Sequence, residues 1–360
     1  MSLDLAWKMT HADAMLPPVL PHPALLSKED RTALNDLYAR GTPDTTLRAY
    51  ERDLIYITCW VQARFGTVLS WPEQEDVALR FVLDHTRDLS GATGPARTAA
   101  DTLIEQGLRR RLACPAPATL DRRIASWRAF HRMKNLTSPF DAPLIRQARA
   151  KGRRANARPI TPKSAHPITR KVLEAMLDTC QGTRRDCRDR AILLLGWASG
   201  GRRRSEITSL QFDDLSLREL DAKSHIWISL GTTKTTARGK TPKLILKGRA
   251  AQGLAHWIDV GQISGGPLFR PVSSADRVLS RRLSPDAIYQ IVRRRLTLAG
   301  YPAGFASPHG LRSGFLTQAA LEGTPIQAAM RLSLHRSMVQ AQRYYDDVEL
   351  ADNQATDLLG

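Results

Sequence analysis

Residues 307–323 read SPHGLRSGFLTQAALEG. Within this stretch His309 and Arg312 stand at positions i and i+3, which share one face of a helix. One can exchange a proton; the other is fixed positive. Such a pair arises often by chance, so its meaning depends on its surroundings. Upstream, residues 199–207 read SGGRRRSEI. Two glycines end a buried helix there, and a new helix opens at Glu206. Arginine beside a helix N-terminus suits a phosphate, because the guanidinium offers a fork of donors and terminal N–H groups add to it. Downstream, His335 precedes Tyr344 by nine residues, so both can return to one cavity across a turn. A tyrosine near the end of a chain is ordinarily packing. Its phenol becomes a nucleophile only where a base or nearby cations help remove the proton.

Between these clusters the pattern changes period. Residues 225–230 (HIWISL) and 242–246 (PKLIL) alternate as short strands. The polar, basic segment between them makes a β-hairpin with a cationic tip that carries Lys234. A lysine in a cationic, partly dry site can act as a general acid. On a hairpin alone it is ordinarily a solvated side chain, and Lys240 and Lys243 compete for the role.

The N-terminal half is helical in pattern. Residues 1–28 hold Pro17, Pro18, Pro21 and Pro23 and read as a loose tail. A helix is expected over 46–64 with Leu47, Tyr50, Leu54, Ile57 and Val61 on one face. Another is expected over 97–112, ending in Arg109, Arg110 and Arg111. A third is expected over 119–134, with Leu120, Ile124 and Trp127 inward. Its other face carries Arg122, Arg123 and Lys134, the candidates for DNA contact. The basic, proline-interrupted stretch that begins near Lys151 reads as a linker. The expected organisation is a tail (1–28), a helical domain (29–155), a linker (156–166) and a mainly helical domain with a small sheet (167–360).

Composition narrows the function. The chain has 360 residues, with 53 Lys and Arg against 35 Asp and Glu, a net charge of +18. Such an excess favours a polyanionic partner through phosphate contacts and counterion release. No run approaches the roughly 20 apolar residues that span a bilayer, and no signal pattern opens the chain, so a cytoplasmic protein without membrane association is expected. The four cysteines lack zinc-ligand spacing and form no disulfide framework. No carboxylate cluster or phosphate-binding glycine loop accompanies the basic clusters, so no metal, nucleotide or other cofactor is expected.

Taken together, the clusters resemble the tyrosine recombinase (phage integrase) superfamily, which includes Cre-like and Xer-like recombinases. GGRRRSEI resembles the family's tGlRrsEl, and spacing to Glu206 selects Arg203 among three neighbouring arginines. GTTKTT resembles the hairpin lysine motif, giving Lys234. SPHGLRSGFLTQAALEG resembles the His–x–x–Arg helix, giving His309 and Arg312. LSLHRSMVQAQRYY (332–345) resembles the C-terminal motif, giving His335 and Tyr344 over Tyr345. One departure is Leu334, where the family carries glycine.

The resemblance implies a two-domain, C-shaped clamp on double-stranded DNA, built from a helical (SAM-like) core-binding domain and a catalytic domain. It implies a homotetramer on paired recombination sites, with a monomer or dimer off DNA. It also implies strand exchange through a 3′-phosphotyrosyl link and a Holliday junction. Tyr344 would be the nucleophile, Arg203, Arg312 and His335 phosphate ligands, Lys234 the general acid, His309 the base or orienter and Glu206 an orienting group. Integration, excision and resolution of a mobile element or replicon all fit that chemistry. A type IB topoisomerase shares the same pocket, and a non-catalytic DNA-binding regulator could keep the fold.

Overall fold

The computed structural model describes residues 27–159, 162–231, 242–335 and 337–351. The chain divides into two compact units, 1–160 and 161–360. The first contains six helices among its described residues: α1 (Lys28–Gly41), α2 (Asp44–Phe65), α3 (Glu75–Asp84), α4 (Pro95–Glu105), α5 (Pro117–Met133) and α6 (Pro143–Ala155). Prolines at the first turns of α4, α5 and α6 lie where a missing N–H costs nothing.

Aromatic side chains centre the core of this unit. Trp60 and Phe81 meet edge-on at 4.9 Å, and Phe81 and Trp127 at 5.3 Å. Leu120, Ile124 and Trp127 of α5 are buried as their spacing predicts. The stripe of α2 differs from the expected one. Asp53, Tyr56, Ile57, Trp60 and Val61 are buried, while Leu47, Tyr50 and Leu54 are only half-buried. Asp53 can lie inside because Arg122 binds its carboxylate at 2.5 Å and the Ser126 hydroxyl donates to it at 2.7 Å. Helix α4 is also shorter than expected. The amides of Leu108 and Arg109 both fold back onto the Leu103 carbonyl, so Arg109, Arg110 and Arg111 follow the helix instead of ending it.

The second unit contains α7 (Arg170–Asp178), α8 (Arg184–Ala198), α9 (Arg204–Ser209), α10 (Leu220–Lys223), α11 (Arg249–Val260), α12 (Pro285–Leu298), α13 (His309–Leu321), α14 (Ile326–Ser333) and α15 (Met338–Ala351). Its sheet has three antiparallel strands in the order β1 (Leu215–Ser216), β2 (His225–Ser229) and β3 (Lys243–Lys247). Strands β2 and β3 are the expected hairpin strands. The two-residue β1 is too short to leave a periodic signal. The hairpin tip with Lys234 and Lys240 lies outside the described residues.

Helix α8 runs through the core, with Ala191 to Leu195 all buried. The segment expected to end the linker belongs to this unit. Ser164 is buried, the His166 amide donates to the Phe305 carbonyl at 3.0 Å, and the Ile168 amide donates to the Gly310 carbonyl at 2.8 Å. Among the described residues no helix is long and apolar enough to cross a membrane.

A buried charge network joins α8 to α12. Asp189, fully buried, accepts from Arg188 at 2.8 Å, from Arg295 at 2.7 Å and from Arg294. Arg295 also reaches Asp186 and the Thr179 carbonyl. Removing one partner from such a network strands the others without solvent, at about 3–5 kcal/mol. Asp189→Ala is therefore expected to destabilise the second unit by about that amount. Urea denaturation reads it, and an unchanged midpoint would contradict the network's role.

Candidate active site

Helix α13 opens at His309 directly after Pro308 and carries Arg312 one turn later. Its seat is set by contact with the turn at Gly200 and Gly201, both at positive φ (88° and 73°). A Cβ at Gly201 would lie 2.1 Å from the Arg312 Cα, and one at Gly200 would lie 2.5 Å from the backbone of Leu332 and Ser333. Only glycine fits both the left-handed backbone and the close approach.

This junction places three arginines differently. Arg202 is buried and donates to the Leu332 carbonyl at 2.6 Å. Arg203 caps the N-terminus of α9, and Glu206 accepts from its guanidinium at 2.6 Å and from its amide at 3.3 Å. Arg204 is exposed and lies over the Tyr289 ring. Arg312 donates from Nη1 to the Gly201 carbonyl at 3.1 Å and from Nε to His335 Nε2 at 3.1 Å.

His335 follows Leu334, the residue that ends α14 in the left-handed region at φ 53°. Because Arg312 can only donate, His335 Nε2 is the acceptor. Its Nδ1 then carries the proton and donates to the Ser333 hydroxyl at 2.8 Å. Ser333 is fully buried. The sequence motifs do not point to it; its proximity to His335 in the chain was the available signal.

Helix α15 brings up the tyrosines. Consecutive helix residues point about 100° apart. Tyr345 turns into a small apolar cluster with Leu316, Ala319 and Ala329, and its hydroxyl donates to the Thr324 carbonyl at 3.0 Å. Tyr344 packs against the edge of the same cluster, and its hydroxyl lies 3.2 Å from His309 Nε2.

Burial, then the charges of Lys163, Arg312 and Arg203, hold the His309 pKa down to about 4. Burial, then Arg312 and Arg203, does the same to His335, also to about 4. Both imidazoles are neutral at pH 7. Burial raises the Tyr344 phenol above its ordinary value, against the pull of Arg312 and Arg343. The arrangement is a neutral phenol against a neutral imidazole, beside two guanidinium groups. It can move a proton from phenol to imidazole when an anion between the arginines offsets their charge.

The structure brings Arg203, Glu206, His309, Arg312, His335 and Tyr344 together. A cleft of ≈ 370 Å³ adjoins them, lined by Arg203, His309, Arg312, Tyr289 and Lys163. Lys234 lies outside the described residues, and the remaining three candidates lie in the first unit. Arg122 and Arg123 line a cleft of ≈ 690 Å³ with Arg52, Arg109, Arg110, Arg111 and Arg158. Arg122 is held by Asp53, and the Arg123 guanidinium stacks 3.2 Å from the centre of the Tyr56 ring. Lys134 does not line that cleft; its ammonium sits 5.2 Å over the Trp71 ring.

The depressed histidines link the site to stability. Unfolded, each takes up a proton near pH 6.5; folded, each resists to about pH 4. Over that window the unfolded chain holds more protons, so stability rises with pH and is complete above about 6.5. Buried His85 adds in the same direction. The denaturation midpoint is expected to be lower at pH 5 than at pH 7.5, with a smaller gap in the His309→Gln, His335→Gln double variant. A flat or inverted profile would contradict the assignment.

The model of the phage integrase family matches residues 167–349. An integrase/recombinase xerD homolog of Selenomonas ruminantium is 30% identical over 165 residues, 44% of this chain and 47% of its own. The chain thus spans about half the length of that relative. Tyrosine recombinase XerD of Xanthomonas campestris pv. campestris is 27% identical over 307 residues, 76% of this chain and 84% of its own. Among solved structures, the Tn1549 transposon integrase in complex with transposon right end DNA superposes with a TM-score of 0.53 at 16% identity, over 91% of this chain and 98% of that one. The XerH recombinase bound to difH in its pre-cleavage complex gives 0.52 at 16% identity, over 97% and 92%. The fold is that of these enzymes, and with the family match covering half of its length the chain belongs to the phage integrase family of tyrosine recombinases.

Proposed function

We propose that the protein is a site-specific recombinase that breaks and rejoins double-stranded DNA through Tyr344. The observation that carries this reading is the Tyr344 hydroxyl at 3.2 Å from His309 Nε2, beside Arg203 and Arg312. A packing tyrosine has no need of a neutral imidazole at its hydroxyl, itself on a cleft that Arg203 and Arg312 line.

In this reading a phosphodiester settles between Arg203 and Arg312, and its charge offsets theirs. The phenol oxygen attacks phosphorus, and His309 Nε2 receives the phenol proton. The bond to the 5′-oxygen breaks, and that oxygen takes a proton from a general acid, for which Lys234 is the candidate. The product is a 3′-phosphotyrosine and a free 5′-hydroxyl. A 5′-hydroxyl from a second strand then reverses the step and restores Tyr344. Charge building on the non-bridging oxygens meets fixed cations, the electrostatic stabilisation that dominates such transfers.

His335 enters as a switchable ligand. Its Nε2 accepts from Arg312. If a phosphate draws the Arg312 Nε away, His335 can donate from Nε2 instead, because the Ser333 hydroxyl serves Nδ1 as acceptor or donor. Glu206 orients Arg203. On paired sites, four protomers would exchange strands in sequence through a Holliday junction, in integration, excision or resolution.

The arginine-rich cleft of the first unit is the proposed contact with the DNA backbone. Arg110 and Arg111 are exposed there, whereas Arg122 and Arg123 are occupied. Replacing Arg110 and Arg111 together with glutamine is expected to reduce the slope of log affinity against log salt by about 1–2. Fluorescence anisotropy at several salt concentrations reads it, and an unchanged slope would remove these residues from the interface.

The central test is covalent. Binding sites are selected from a randomised duplex library, and the selected site is rebuilt with a nick near the cleavage position. Wild type should accumulate an adduct that survives denaturing electrophoresis, and Tyr344→Phe should give none. Absence of a wild-type adduct, or its persistence in Tyr344→Phe, would overturn the reading.

A further inference from the structure

We propose that Lys163 is a further catalytic residue, whose ammonium contacts a non-bridging oxygen of the phosphodiester that Tyr344 attacks. The inference rests on the recombinase reading of the site and adds to it a group from outside the helices that carry the other members.

The backbone around Lys163 is built rather than loose. The Ser307 hydroxyl donates to the Lys163 carbonyl at 2.9 Å, and the Ser307 amide donates to the Ser164 hydroxyl at 2.9 Å. The Ser164 hydroxyl in turn donates to the His166 carbonyl at 2.8 Å. The His166 ring stacks on Phe305 with centroids 4.5 Å apart. These contacts pin residues 163–168 to the loop that delivers His309, so the lysine stem starts at a fixed place on the cleft rim.

The head of Lys163 is left uncommitted. Lys163 is exposed, and among the described residues no carboxylate pairs with it. It lines the same cleft as Arg203, His309 and Arg312, and no acidic residue is part of that lining. Glu206 is turned to Arg203. Of the charged groups around His309, Lys163 lowers its pKa more than Arg312 or Arg203 does. Lys163 and the imidazole that faces Tyr344 thus line one cleft, where an attacked phosphate must come. A cation fixed at its root, free at its head and unopposed by a carboxylate is placed to bind an anion at that point.

The test uses the full-length chain and the nicked duplex selected above, at saturating duplex, with the rate of adduct formation as readout. The exposed side chain can be exchanged without disturbing its backbone contacts, and circular dichroism verifies the fold. Losing one charge-assisted contact to the reacting phosphate is expected to slow Lys163→Gln about tenfold or more. Lys163→Arg should recover most of the rate. Lys171→Gln, which removes the same charge from an exposed position on α7, should match wild type. When a methyl group replaces one non-bridging oxygen of the scissile phosphate, the Lys163→Gln penalty should shrink. A Lys163→Gln rate within twofold of wild type, no recovery with arginine, or an undiminished penalty on the neutral phosphate would each overturn the proposal and leave the Tyr344 chemistry standing. If wild type forms no adduct at Tyr344, both fall together.

Discussion

The candidate site depends on a contact that admits only hydrogen in place of a side chain. At Gly200 and Gly201 the end of α8 meets the start of α13 and the end of α14, with backbones closer than any Cβ would allow. Three consequences follow from this joint. Arg203 emerges two residues later as the cap of α9. Arg312 is held by the Gly201 carbonyl. Leu332, whose carbonyl binds Arg202, leads within three residues to His335. The cationic heads thus share one origin in the backbone, and their spacing does not depend on long flexible stems. A larger residue at either glycine would separate all of them at once.

Close packing of cations has an electrostatic cost. Burial first, and then the neighbouring arginines, lowers the Arg312 pKa to about 10. The same crowding keeps His309 and His335 neutral. Glu206 pairs directly with Arg203 and Arg202 and offsets the charge at Arg312 only in part. A site that gathers positive charge with so little opposing charge is less stable empty than occupied by an anion, which is how binding a phosphate can be coupled to aligning the groups around it. The Asp186–Asp189–Arg295 network shows the opposite arrangement, where each buried guanidinium finds carboxylates and nothing is left for a ligand.

Much of this was legible in the sequence, where the local code is strong. The i, i+3 spacing sets His309 and Arg312 on one helix, and nine residues from His335 lead to Tyr344 beside His309. Alternating residues marked β2 and β3. What stayed hidden depends on long-range pairing. Asp53 is a charged residue in a core stripe, and only the distant Arg122 and Ser126 make that possible. Lys163 stands in a basic, proline-rich stretch that reads as linker, yet Ser307 and Phe305, some 140 positions away, fix it in place. Arg122 and Arg123 read as candidates for DNA contact, while the structure gives both of them intramolecular partners. Composition reports how many cations there are; only folding decides which remain free.

Leu334 shows the same competition at one residue. A left-handed backbone costs a leucine roughly 1–2 kcal/mol relative to glycine. Its side chain is packed against the main core of the second unit, and burying a leucine fully is worth about 1.5–3 kcal/mol. Half-buried, Leu334 gains less than that, so the two terms are close to balance. The difference from a glycine is then in stiffness more than in stability. A glycine would let the turn open in either direction, whereas a leucine held by the core admits one. That constraint acts on the next residue, His335, whose two ring nitrogens must meet Arg312 on one side and the buried Ser333 on the other. The strained leucine and the buried serine together define an imidazole that can change its proton without changing its place.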